Sequence, residues 1–200
     1  CFPNLKKLFL NHNKISNGGA KALAESKFVQ NITYLMLEAN QIGADGTRSF
    51  AISLHLKNLE TLFLNSNPIG PQGAKALAES NYLPSLSALH MDSAGIGDQG
   101  VKAIAASQTL NKLEKLYLCS NKIGDEGAIA LSQSPNLTHL NCLSIWRNEI
   151  RDAGGKAIAE SDHFLKLERL YMSLNLIEKP TRKIIRSSVL ASRLKTLVMD

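Results

Sequence analysis

One pattern recurs along the chain with a period of 27 residues and no insertion or deletion, and a strict period of this length restricts the fold more than any other feature. Counting each copy from its first residue, the starts fall at Leu5, Ile32, Leu59, Leu86, Leu113, Leu140, Leu167 and Leu194, which makes seven full copies and a partial eighth. Position 4 is leucine in every copy, from Leu8 to Leu197. Position 6 is leucine, isoleucine or methionine, and position 11 is isoleucine from Ile15 to Ile177. A unit this short cannot enclose a core, so its apolar positions must be buried against the copies before and after it. A single stacked domain over residues 1–200 is the expectation.

Within one copy, positions 3 to 7 alternate apolar and variable residues, the signature of a strand with one buried face. The variable side chains at positions 3, 5 and 7 then point outward. Asn recurs at position 9 (Asn13, Asn40, Asn67, Asn121, Asn148, Asn175), where a buried amide can satisfy backbone groups of the neighbouring copy. Copy four carries Ala94 there, which predicts a weaker stack at that point. Glycines at positions 12 and 15 lead into an alanine-rich helix. Asn17, Asp98, Asp125 and Asp152 at position 13 suit the cap of that helix, Pro71 suits its first turn, and the Ser at position 22, from Ser26 to Ser188, suits a local backbone bond near its end.

The string LxxLxLxxNxIGxxGAxALAxS resembles the leucine-rich repeats, and within them the ribonuclease-inhibitor subfamily; "LETLFLNSNPIGPQGAKALAES" and "LEKLYLCSNKIGDEGAIALSQS" carry the resemblance. The resemblance implies an α/β solenoid with a parallel sheet on the concave face and helices on the convex face. It also implies a protein-binding role. The uniform period and the scarcity of cysteine set the chain apart from vertebrate ribonuclease inhibitor. Its alanine-rich "GAKALAES" segment is more similar to leucine-rich repeat proteins of microbes, to their secreted effectors and to the sensor ends of intracellular immune receptors. Ran GTPase activators look alike in repeat type, so a non-catalytic regulator of a nucleotide-dependent enzyme is the alternative reading. Strands stack about 4.8 Å apart whereas helices need roughly 8–10 Å, so the rod must curve with its sheet inside.

The concave face is the expected binding site. Position 5 reads Phe9, Met36, Phe63, His90, Tyr117, Ser144, Tyr171, Val198, with Tyr34 at position 3 and Trp146 at position 7 adding two rings. Six of the chain's 11 aromatic residues thus fall on outward strand positions while leucine and isoleucine build the core. Rigid rings with little entropy to lose are the expected content of a protein-binding hot spot. Aromatics also favour strands and can pack along a sheet, which is the competing explanation. Glu38, Asn65, Asp92 and Arg147 supply a polar rim. The partner-binding set is therefore Phe9, Tyr34, Met36, Glu38, Phe63, Asn65, His90, Asp92, Tyr117, Trp146, Arg147 and Tyr171.

Other chemistries find less support. The formal net charge of +6 invites nucleic acid. Yet position 17, basic in six copies, lies on the outer helix face, where Lys21, Lys75 and Lys156 have Glu25, Glu79 and Glu160 four residues on. Only Lys179, Arg182, Lys183, Arg186, Arg193 and Lys195 form a dense basic cluster, which leaves nucleic-acid binding there as a minor alternative. Copy seven replaces its glycine turn with Glu178-Lys179-Pro180-Thr181, an expected approach to a C-terminal cap. For catalysis, Cys119 with His90 and Asp92 is the best constellation, but Asp92 opposes a thiolate and an open sheet excludes no water. No metal or cofactor motif is present, no small-molecule substrate is expected, and no apolar run is long enough to span a bilayer.

Cys119 and Cys142 lie four positions out of register, roughly 13 Å on adjacent strands, too far for a disulfide. Reduced thiols and a cytoplasmic setting are the expectation, with delivery as an effector into a host cell as a variant. Two sequons, at Asn31 and Asn136, point weakly the other way. The chain begins at Cys1 without a leader and stops inside the eighth strand. It therefore reads as the recognition region of a longer protein, and its apolar ends would allow end-to-end dimers.

Overall fold

A computed structural model describes residues 4–200. Eight strands form one parallel sheet in chain order: β1 (Lys7–Phe9), β2 (Tyr34–Met36), β3 (Thr61–Phe63), β4 (Ala88–His90), β5 (Lys115–Tyr117), β6 (Cys142–Ser144), β7 (Arg169–Tyr171) and β8 (Thr196–Val198). Every strand meets the next without stagger, so Leu35 pairs with Leu62 and Phe63 with His90. Equal copy length produces this register, and each repeat position becomes a column across the sheet. The regular strand covers only positions 3 to 5. Its ladder runs on, with the N–H of Leu10 donating to Met36 O and that of His12 to Glu38 O, both at 2.8 Å.

Helices α1 (Asn17–Glu25), α2 (Ala44–Ala51), α3 (Gly70–Ala78), α4 (Gly97–Ala106), α5 (Asp125–Ser132), α6 (Asp152–Ala159) and α7 (Lys179–Arg186) stand one per copy, and a short α8 (Val189–Arg193) follows α7. Positions 4, 6 and 11 fill the space between helices and sheet: Leu35, Leu62, Leu89, Leu116 and Leu143 have no exposed surface, nor have Leu37, Leu64 and Ile123. Small helix residues such as Ala20, Ala74 and Ala128 are equally buried and let the helices lie close. No helix of the described residues is long and apolar enough to cross a membrane.

The Asn column behaves as expected. Asn67 Nδ2 donates to Leu37 O of the preceding copy at 2.8 Å, and Asn67 Oδ1 accepts from Ile42 N at 3.0 Å. Asn40, Asn121, Asn148 and Asn175 repeat the bond to the preceding copy. Where Ala94 breaks the column, Ile69 N turns instead to Asn67 O at 2.8 Å.

One expectation is corrected and another is extended. The position-13 side chains do not cap their own helices. Asn17 Oδ1 accepts from Gly43 N at 2.7 Å and Gly46 N at 3.1 Å, and Asp98 Oδ1 from Gly124 N at 2.7 Å and Gly127 N at 3.0 Å. Asp125 does the same for Arg151 and Gly154, each at 2.8 Å. Copies one, four, five and six therefore reach the helix start of the next copy, whereas Ala44 and Pro71 give copies two and three no such group. Glycine at position 15 leaves room for the capping oxygen: a Cβ on Gly46, Gly127 or Gly154 would stand 2.8, 2.5 or 2.7 Å from Oδ1 of Asn17, Asp98 or Asp125. The position-22 serines likewise reach across copies. Ser53, Ser80 and Ser107 each donate at 2.5 Å to a helix carbonyl of the preceding copy (Ala24, Ala51 and Ala78), while accepting locally from N–H groups such as His55 N.

Position 8 takes a left-handed backbone in all seven copies, with φ of 55° at His12, 53° at Ala39, 54° at Ser66, 53° at Ser93, 56° at Ser120, 55° at Arg147 and 53° at Leu174. This turn ends the strand, and nothing in the residue types at position 8 signals it. In copy seven, the Arg182 and Arg186 guanidinium groups donate to Asp200 O and Met199 O beyond β8.

Candidate protein-binding face

The sheet's outward columns gather the aromatic residues into one row. Ring centroids lie 5.4 Å apart from Phe9 to Tyr34, 5.1 Å from Tyr34 to Phe63, 3.9 Å from Phe63 to His90 and 4.2 Å from His90 to Tyr117. Copy two has Met36 at position 5, and Tyr34 leans in from position 3 to bridge the gap. The sheet spacing of about 4.8 Å is close to ring-stacking distance, so successive strands hold successive rings in contact. Phe63 and His90 are nearly parallel at 18°, and His90 and Tyr117 at 8°. Phe9 at the open end is 57% exposed, whereas Tyr34, Phe63, His90 and Tyr117 are half-buried and present ring edges. Lys7 Nζ sits 5.8 Å from the Tyr34 ring centre.

Ser144, buried, interrupts the row. Trp146, 38% exposed, and half-buried Tyr171 stand beyond it and make no ring contact among the described residues. The exposed Arg147 flanks Trp146. The expected rim is partly committed to the fold: Asn65 Oδ1 accepts from Asp92 N at 2.8 Å, and Asp92 Oδ1 from Cys119 N at 2.6 Å. Half-buried Glu38 lies in the same column, and its charge joins burial in raising the Asp92 carboxyl above the usual carboxylate range, against the Cys119 bonds.

The electrostatics of this face oppose thiol chemistry. Burial, with the charge of Asp92 adding to it, pushes the Cys119 thiol up to about 11, and its Sγ lies 3.0 Å from Ser144 Oγ. Burial and then the Lys115 charge bring His90 down to about 4, so the imidazole between the Phe63 and Tyr117 rings is neutral at pH 7. Both shifts oppose a thiolate–imidazolium pair. Cys119 and Cys142 are both free thiols, and no group of described residues has the composition of a metal site.

Sequence reasoning missed two features. Phe28, Ile52, Leu54 and Tyr82 are exposed, from 44% at Tyr82 to 72% at Leu54, where the helices of copies one to three return toward the sheet. A cleft of about 470 Å³ opens there between Arg48, Ile52, Lys75, Glu79 and Tyr82. Large apolar residues at positions 21, 23 and 24 were the available signal. The second is a pair of buried polar atoms without a partner, Arg169 Nε and Ser173 Oγ, both on the concave side of copy seven.

No curated protein matches the chain significantly. The family model described as Leucine Rich repeat matches residues 3–24, 55–78, 82–105, 109–132 and 136–159, more than half of the chain. Each matched segment from residue 55 onward joins one helix to the strand before it, in the solenoid described above. With eight parallel strands alternating with helices, the chain belongs to the leucine-rich repeat family.

Proposed function

We propose that the chain is a protein-recognition module and that it binds its partner across the concave sheet. Leucine-rich repeats mediate protein–protein interaction and are typically non-catalytic. The observation that carries the site is the row Phe9–Tyr34–Phe63–His90–Tyr117, whose rings lie along one face of an open sheet, on the side away from the helices of the described residues. Rings already held by their neighbours lose little freedom on binding, which favours them as anchors. The string LxxLxLxxNxIGxxGAxALAxS supports a ribonuclease-inhibitor-like subfamily. Two unpaired thiols, one of them buried, support a reducing, cytoplasmic setting. An apolar cleft of about 380 Å³ at the first copy, lined by Leu5, Leu8, Leu23, Phe28, Val29 and Ile32, supports end-to-end pairing of the isolated chain.

The test compares the chain with a variant carrying serine at Phe9, Phe63, Tyr117, Trp146 and Tyr171 in a pull-down read by mass spectrometry, after circular dichroism shows that both fold. Loss of specific partners with the variant is the expected result. Recovery of the same proteins by both would move recognition to the helices or loops.

A further inference from the structure

Copy seven presents a cation that the fold leaves unmatched. Arg169 stands at position 3 of β7, in the column Lys115–Cys142–Arg169. Its Nη2 makes one long bond, 3.3 Å, to Asn141 Oδ1, its Nε is buried without an acceptor, and among the described residues no carboxylate lies within ion-pair distance of it. Lys115, two strands away in the same column, is exposed and also free of any ion pair. Buried polar side-chain atoms are normally satisfied. Among the described residues the only two that are not, Arg169 Nε and Ser173 Oγ, flank Tyr171 on one strand of the proposed binding face. Ser173 is 4% exposed.

Resting on the concave-face reading above, we propose that Arg169 is the centre of a carboxylate subsite, and that the partner enters as an extended segment with acidic side chains. Arg169 is half-buried, and a swing of its side chain away from Asn141 on binding would turn its Nε and Nη2 edge toward the two oxygens of an incoming carboxylate, a fork that a lone ammonium cannot reproduce. Tyr117 lies two residues along from Lys115 and Tyr171 two residues along from Arg169, so both rings border the span between the two cations. Lys115 and Arg169 are two strand gaps apart, about 10 Å, and an extended chain rises about 3.3 Å per residue. A segment crossing the strands would therefore reach both cations with acidic residues three apart, the side chains between them lying on the Tyr117–Tyr171 surface.

The test is selection of random linear peptides, displayed on phage, against the whole chain, with the enriched sequences remade as fluorescent peptides for titration. Enrichment of acidic residues three apart is expected. Binding should fall about tenfold or more with Arg169→Gln, as charge-assisted bonds of this kind imply, less with Arg169→Lys, and severalfold with Lys115→Gln. Lys115 is exposed, so that variant keeps the fold. Replacing by its amide only the acid that faces Arg169 should cost as much as Arg169→Gln does, and nothing further in that variant.

Failure to enrich acidic peptides, or ligands that bind Arg169→Gln and Lys115→Gln as tightly as the parent, would overturn the subsite. If such ligands still lose affinity for a Phe63→Ser, Tyr117→Ser variant, the concave-face reading survives alone. If they bind that variant equally well, both readings fall.

Discussion

Asp98 caps a helix that is not its own: its Oδ1 accepts from Gly124 N at 2.7 Å and from Gly127 N at 3.0 Å, at the start of α5. Two otherwise orphaned donors of one copy are thereby satisfied by the previous copy, which couples neighbouring helices. Asp98→Ala is expected to cost about 1–2 kcal/mol, the usual worth of a lost cap. The distinguishing measurement is amide hydrogen exchange. Protection should fall at the start of α5 and stay unchanged at the start of α4; loss at α4 instead would restore the local-cap reading.

Ala94→Asn should stabilise the protein. Copy five shows the geometry it would adopt: Asn121 Oδ1 accepts from Ala94 N at 3.0 Å and Ile96 N at 3.3 Å, and Asn121 Nδ2 donates to Met91 O at 2.8 Å. Gly95, at φ 66°, has the same left-handed backbone as Lys122, at φ 58°, which follows Asn121. An amide at position 94 would then meet Asn67 N, Ile69 N and Leu64 O in the same way. A gain of about 1 kcal/mol raises the midpoint of a chain this size by about 2–4 °C. A fall in thermal melting temperature would count against the ladder.

Stability should decline as the pH is lowered from 7 to 5. His90 is held at about 4 in the fold, by burial first and Lys115 second, against 6.5 for the free group. Between those values the unfolded chain binds a proton that the folded chain does not, so stability rises with pH through this window and is flat above it. After solvent screening the loss at pH 5 is about 1 kcal/mol. Asp92, raised by burial, acts in the opposite sense at the acid end of the range. A His90→Phe variant keeps a ring in the row, and its denaturant midpoint should show a flatter pH dependence; an unchanged slope would remove His90 as the cause.

Cys119 should be a poor nucleophile. With its thiol pushed up to about 11, the thiolate fraction at pH 8 is about 100-fold below that of an ordinary cysteine. Alkylation by iodoacetamide, followed by peptide mass mapping, should be slow at Cys119 in the folded chain and fast after denaturation. Rapid labelling in the folded state would contradict the burial described here.

The columns of the fold were legible because copies of equal length, each with leucine at position 4 and isoleucine at position 11, can stack in only one register. The Asn ladder was legible for the same reason, since a buried amide at position 9 has only the neighbouring copy's backbone to satisfy. The outward placement of Phe9, Tyr34, Phe63, Tyr117, Trp146 and Tyr171 followed from strand alternation. That five rings close into one contiguous row while Trp146 and Tyr171 stand apart did not, because it depends on Tyr34 leaning across columns and on Ser144 breaking them.

Asp98 and Ser53 were recognisable as backbone-bonding residues, but not as bonds to another copy. A short polar side chain satisfies whichever backbone group is nearest, and in a stacked solenoid that group belongs to the adjacent copy as readily as to its own. The unmatched Nε of Arg169 was invisible for a related reason. Periodicity says which positions face outward, but only the packed side chains decide which donors are left without an acceptor.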